Sequence, residues 1–390
     1  MIVAFGSQDE QFSRAFSQVR EAITQRAFPT ASIAVTHLGK LVALKSFGRF
    51  VWEEDLKGDP FLSRTLRQDG EVDVATKPST LFDLASLTKP VATAAMAMIL
   101  YERGLLDLNA PISATVPEFL IGDERRRNVT FRMLLAHSSG LPAYEKLYLK
   151  AHNRDELLRA AFATELTADP GTCAEYSDIG FIILGVAQER LAEEPLDLFC
   201  QREIFGPLGM TNTTFNPPPE IRALIPPTAD ERADRVIPSQ PRSTFRDRII
   251  QGEVQDENAF VLGGVAGHAG LFATAEDVAS FAHSMISGGS GILRADTMAL
   301  FTRRESTPAG TSRALGWDTP SAPSQSGTHF GPRSYGHLGY TGTSLWIDPD
   351  RQLSITLLTN RTWPDCSNHA IKHVRPKVYD SVMQALDATT

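Results

Sequence analysis

The sequence predicts an α/β (α+β) fold in which an antiparallel sheet is built from N- and C-terminal segments and flanked by helices. A mainly helical subdomain is inserted between those segments. Three observations carry this reading. The runs 31–36 and 41–47 are strand-like, and His37-Leu38-Gly39-Lys40 between them reads as a hairpin turn. Short strand-like runs return near the other end, around 315–317, 342–348 and 353–359. Between 106 and 214 the apolar spacing is mainly helical. The implied division gives 1–105 and 256–390 to an α/β subdomain and 106–255 to the helical one, which ends in a Pro- and Arg-rich segment at 217–255. A chain of 390 residues has room for two such subdomains or one composite domain.

The elements follow in order. The first helix covers 11–27, where Phe12, Phe16, Val19 and Ile23 recur at three and four. After the hairpin, 52–78 is polar and broken by Gly and Pro, hence a loop or insertion. A helix over 86–103 can hold Pro90 only near its start, where amide donors have no partners anyway. Further helices are expected at 131–136, 154–162, 178–191 and 195–205. The segment 217–255 has little periodicity and reads as an ordered rim over a site, with disorder as the alternative. An amphipathic helix ends near Ser287, with Thr274 placed to cap its start. The last helix is expected at 376–386, its proline in the permitted first turn.

Composition narrows the function. A net charge of −8 argues against a nucleic-acid binder, which would show a basic face. Cys173, Cys200 and Cys366 are widely spaced with no C-x-x-C, so neither a disulfide framework nor a zinc cluster is expected. His369 and His373 have i, i+4 spacing but no H-E-x-x-H context, and read as a surface pair. No metal or cofactor is expected. Residues 1–10 lack a basic region and an apolar core, and the apolar run 91–100 is half the ~20 residues of a membrane span. A cytoplasmic location and no membrane span are the resulting expectations.

Ser86-Leu87-Thr88-Lys89 heads the mostly apolar run 90–100. Serine is a weak nucleophile until a neighbouring base takes its proton. Residues three apart on a helix share a face, so Lys89 can reach the Ser86 oxygen, and burial can lower a lysine towards working pH. Two further islands accompany it. One is Tyr176-Ser177-Asp178, preceded by Pro170-Gly171-Thr172; the other is His337-Leu338-Gly339-Tyr340-Thr341-Gly342, leading into a strand. With the segments 129–142, 204–213 and 264–272, they resemble the serine β-lactamase and penicillin-recognising superfamily, in family order and over nearly the whole chain. Within it, the chain is most similar to the class C β-lactamase-related branch, which includes family VIII carboxylesterases.

The resemblance implies roles. Ser86 would be acylated, with Lys89 and Tyr176 moving protons, and the backbone amides of Ser86 and Tyr340 would form the oxyanion hole. In the family the tyrosine is held near a base role by adjacent cations, and Tyr176 inherits that expectation. Asp178, His337 and Gly339 would contact substrate. Two departures stand out. Many relatives have Asn where this chain has Asp178, and a carboxylate there would raise the Lys89 pKa and make it a charged support for Tyr176. Asp178 could equally be a helix N-cap. His337 stands where many β-lactamases carry Lys, which tilts the substrate away from β-lactams and D-alanyl peptides, whose carboxylate a cation would grip.

His137 and His268 lie in Gly/Ser-rich turns and read as loop-holding residues, while Gly264, Gly267 and Gly270 lack a phosphate-loop lysine and point to close backbone packing. No G-x-S-x-G elbow occurs, and Cys173 reads as packing. The expected function is a cofactor-free serine hydrolase acting through an acyl-enzyme on a small-molecule ester, with weak β-lactam hydrolysis. Amide hydrolysis on cell-wall fragments or D-alanyl peptides is the alternative, since Gly252-Glu253-Val254-Gln255-Asp256-Glu257-Asn258-Ala259 resembles relatives thought to act on muropeptides. A penicillin-binding sensor that acylates without turnover is the rival from another class. The oligomeric state has no signature in the sequence.

Overall fold

The structure, a computed structural model, describes residues 1–59, 62, 75–235 and 243–388. The loop or insertion expected over 52–78 therefore falls largely outside the described residues, as does part of the expected rim segment 217–255. The main sheet has six strands: β1 (Ile2–Val3), β2 (Thr30–His37), β3 (Lys40–Gly48), β9 (Tyr335–Leu338), β10 (Ser344–Asp348) and β11 (Leu353–Thr359). Their order is β1-β3-β2-β11-β10-β9, and every pairing except the short parallel β1–β3 contact is antiparallel. The seam β2–β11 joins the two ends of the chain, with Ile33 opposite Leu357 and Val35 opposite Ile355.

Side chains alternate across a strand, so one sheet feeds two cores. Ile33, Val35, Ile355, Leu357 and Trp346 pack with Phe12, Phe16 and Val19 of the N-terminal helical region and Val378, Val382 and Met383 of the last helix. Ala34, Leu44, Leu345, Ile347 and Leu358 belong to the larger core on the opposite face. Both faces are covered, so even the small hydroxyl residues Ser32, Thr36, Ser354 and Thr356 that alternate with the apolar ones are buried. A small sheet of β4 (Phe82–Asp83), β8 (Leu271–Ala273) and β5 (Thr214–Phe215) leads into the Ser86 turn, and β6 (Ala229–Asp230) pairs with β7 (Ile249–Ile250).

Two expectations are corrected. Residues 315–317 are not a strand; Gly316 takes a φ of 84° and brings the chain against Ala94, where a side chain would collide. The last helix runs Ile371–Asp387, so it starts a turn and a half before Pro376 and includes Arg375. The helix Asp178–Ala192 is buried without a break from Ile179 to Gln188, because segments close over it on all sides. One of these is the glycine-rich stretch at 264–270. A Cβ on Gly185 would lie 3.0 Å from the Gly267 backbone, and one on Gly267 would run into the Phe181 carbonyl oxygen. Thr93 donates to the Gly267 carbonyl at 2.6 Å and fixes the same stretch to the helical turn that follows Ser86.

Gly267→Ala is expected to lower stability by about 1–3 kcal/mol, the usual cost of overpacking. Thermal unfolding checks this; a variant as stable as the wild type would mean the two backbones are not held together as described.

Candidate active site

The turn carrying Ser86 is shaped by its neighbours. Ala85 takes a φ of 47°, a left-handed conformation uncommon outside glycine, and its amide donates to Asp83 Oδ1 at 2.8 Å. Asp83 also accepts the Gln255 amide at 2.6 Å, and burial raises its carboxyl to about 6. Ser86 follows in a tight turn over Ala85–Leu87, then a wide π-type turn at Lys89–Ala94 opens into the regular helix Ala95–Glu102. Such widened turns recur at functional sites.

Lys89 is the hub. Its side chain is 0% exposed, and Nζ lies 3.0 Å from Ser86 Oγ, 2.6 Å from Asp178 Oδ1 and 3.0 Å from the His268 carbonyl oxygen. Burial pulls the Lys89 amine below its ordinary range, against the Asp178 carboxylate and, more remotely, Asp256. The sequence offered both directions, burial lowering the amine and Asp178 raising it. Asp178 does raise the amine, but desolvation outweighs it. The His268 side chain turns away to pair with Asp256 at 2.8 Å; only its carbonyl reaches the site.

Tyr176 OH donates to Ser86 Oγ at 2.6 Å. Lys89 Nζ sits 4.8 Å from the Tyr176 ring centre and the Arg313 guanidinium 5.6 Å from it. Even so, burial and then Asp178 push the phenol well above its ordinary value of 10. The expected lowering of Tyr176 by neighbouring cations is therefore also corrected. Asp178 is not the helix cap. Ser177 is, its Oγ accepting the Gly180 amide at 3.0 Å, which leaves the Asp178 carboxylate for Lys89.

The third segment arrives on β9. Gly339 lies so close to the turn carrying Ser86 that a Cβ would meet the Thr343 hydroxyl and the Leu84 carbonyl. Thr341 and Thr343 donate to the Asp83 and Leu84 carbonyls at 2.7 and 2.8 Å, tying this turn to residues 83–86. Neither the Ser86 nor the Tyr340 amide has an acceptor among the described residues. Arg375 is 4% exposed and braces the turn from behind, donating to the Gly339 and Thr343 carbonyls at 3.0 and 2.8 Å. His337 Nδ1 lies 2.8 Å from its neighbour Leu338's carbonyl, and burial, with Lys89 and Arg313, holds the ring neutral to well below 6.5.

These groups open onto a cavity of about 970 Å³, lined also by Tyr144, Glu257 and Arg361. Asp230, Glu231, Ser243 and Gln255, from the described part of 217–255, reach the same cavity. Sequence reasoning missed Arg313 and Arg375, lone charges outside any motif. All the residues singled out as site candidates (Ser86, Lys89, Tyr176, Asp178, His337, Gly339 and Tyr340) gather at or directly beneath one end of this cavity. Among the described residues no helix is long and apolar enough to cross a membrane.

Comparisons with known proteins bear on the family and the fold. A family model described as Beta-lactamase matches residues 12–375. The chain is 32% identical over 383 residues to an N-acetylmuramyl-L-alanine amidase of Bacillus subtilis (strain 168), covering 91% of this chain and 83% of that protein. It is 31% identical over 381 residues to a putative D-alanyl-D-alanine carboxypeptidase of Salmonella schwarzengrund (strain CVM19633), with the same coverage of 91% and 83%. Among solved structures, EstCE1, a hydrolase with promiscuous acyltransferase activity, superposes with a TM-score of 0.74 at 21% identity, covering 96% of this chain and 99% of that one.

Buried and neutral, His137 and His337 both resist protonation in the folded state. Each therefore favours folding above its ordinary value of 6.5 and withdraws that support as pH falls, when the unfolded chain takes up the protons. Their ring-proton NMR shifts should stay those of neutral imidazole from pH 8 down to about 6. Titration of either within that window would contradict the buried geometry.

Proposed function

The chain belongs to the beta-lactamase family of serine hydrolases, and from that premise we propose that it cleaves an amide bond in muropeptide fragments through an acyl-enzyme on Ser86. The size of the cavity carries the choice of substrate. About 970 Å³ lies at the upper end of the ~300–1,000 Å³ usual for ligand pockets, ample for a sugar–peptide conjugate and excessive for a small ester. The Bacillus relative named as an amidase supports the same choice over the ester that ranked first on sequence alone. A neutral His337 disfavours substrates that need a cation for a carboxylate beside the scissile bond.

The proton positions follow from the hydrogen bonds. Lys89 Nζ has three oxygen neighbours. As an amine it donates to Asp178 and the His268 carbonyl and accepts from the Ser86 hydroxyl. Ser86 Oγ attacks the carbonyl carbon while its proton crosses to Lys89 over 3.0 Å. The amides of Ser86 and Tyr340 hold the oxyanion. As the tetrahedral intermediate collapses, the C–N bond breaks and the departing nitrogen takes the Tyr176 proton, which the Lys89 ammonium then restores. Water attacks the acyl-enzyme in the second half, yielding a carboxylic acid and free Ser86. Burial supports this division, since it leaves more of the amine uncharged and free to take a proton than usual and keeps the phenol protonated.

A panel of a muramyl peptide, a nitrophenyl ester and a chromogenic cephalosporin tests the substrate. Steady-state release of the peptide amine from the muramyl peptide is expected, and Ser86→Ala should lower it by about 10⁴–10⁶-fold. Turnover of the ester alone would overturn the amide, and a product burst with no steady state would identify a sensor. Asp178→Asn removes the charge that holds the Lys89 pKa up, so the acid limb of kcat/KM should move to lower pH. A limb that stays in place would remove Lys89 from the base role.

A further inference from the structure

His137 is buried and makes no contact with Ser86, yet three of its groups converge on the residue that does. It follows the short helix Phe131–Leu135 and takes a φ of 56°. Its carbonyl accepts the Glu175 amide at 2.9 Å, and its Nδ1 accepts the Ser177 amide at 3.0 Å. Both amides flanking Tyr176 thus end on one residue. The imidazole also lies against the Tyr176 ring, centroids 4.7 Å apart, and is backed by Phe181 at 4.9 Å. We propose that His137 is the positioning residue for Tyr176, gripping its backbone on both sides and its ring face so that the phenol stays aimed at Ser86. The proposal rests on the reading of Tyr176 as proton donor to the leaving group.

The chemistry of the residue fits this task better than that of its obvious replacements. Nδ1 must be an acceptor to take the Ser177 amide, so the ring proton sits on Nε2. Burial, with the nearby Arg313 cation, keeps the imidazole from charging and losing that acceptor. Only a planar ring carrying an unprotonated nitrogen at this position serves the backbone and the phenol face together. The left-handed backbone is one that Asn also accepts, while Phe keeps the ring and loses the acceptor.

The test compares His137→Asn, His137→Phe and His137→Ala with Tyr176→Phe on two substrates. One is the muramyl peptide, whose amine must be protonated to leave; the other is a nitrophenyl ester, whose phenolate leaves unaided. His137→Ala should lower kcat on the muramyl peptide by about 10²-fold, the scale of a misplacement near 1 Å, with KM little changed and the ester largely spared. Asn and Phe should each recover part of the loss, and they carry the comparison if the Ala variant does not fold. In a Tyr176→Phe background, His137→Ala should add nothing further. Equal losses on both substrates, or effects that add in the double variant, would overturn the grip. If Tyr176→Phe itself loses both activities alike, the proton-donor reading fails, while the double variant still decides whether His137 acts through Tyr176.

Discussion

One nitrogen, with no access to solvent, organises this molecule. A lysine amine taken fully out of water is costly unless oxygen partners replace its hydration. Lys89 finds them on three segments far apart in the chain: Ser86, Asp178 and the His268 carbonyl. Each contact demands something of its segment. The Ser86 turn needs Ala85 in an uncommon conformation held by Asp83. The helix bearing Asp178 needs Ser177 as its cap, so that the carboxylate is left over. The His268 carbonyl needs Gly185 and Gly267 to let two backbones touch. Asp256, meanwhile, occupies the His268 ring and keeps it out of the cluster.

Burial also explains how two groups of similar ordinary pKa come to differ in role. Desolvation always penalises the charged form, so it moves an amine down and a phenol up. Lys89 and Tyr176 are pushed in those opposite directions while both touch the same serine oxygen. Asp178 tempers the lysine and reinforces the tyrosine. The histidines nearby add bulk and hydrogen-bond geometry rather than charge.

Much of this was legible in the sequence, for reasons that can be named. The strands at both ends show because Ile, Val, Leu and Thr recur in short runs bounded by turn residues. The Ser86–Lys89 pair shows because helical spacing puts them on one face. The glycines at 264–270 show as packing because they lack a lysine that would make them a phosphate loop. What stayed hidden depends on partners from elsewhere. Whether Ser177 or Asp178 caps its helix turns on Lys89 competing for the aspartate. The direction of the Lys89 shift turns on solvent exclusion, which no local pattern records. Arg375 fell outside the helix expected at 376–386, since Pro376 suggested a beginning where the chain was already helical.

The seam between β2 and β11 has a temporal meaning. Ser86 and Lys89 leave the ribosome early, but the Tyr340 amide and the Arg375 guanidinium behind it belong to the last part of the chain. The turn carrying Tyr340 is hung on β9 and β10, which reach the sheet only through β11 pairing with β2. A nascent chain therefore carries Ser86 before the segment that sets the Tyr340 amide beside it has joined the sheet. Completing the sheet is thus the step that brings the two ends of the site together.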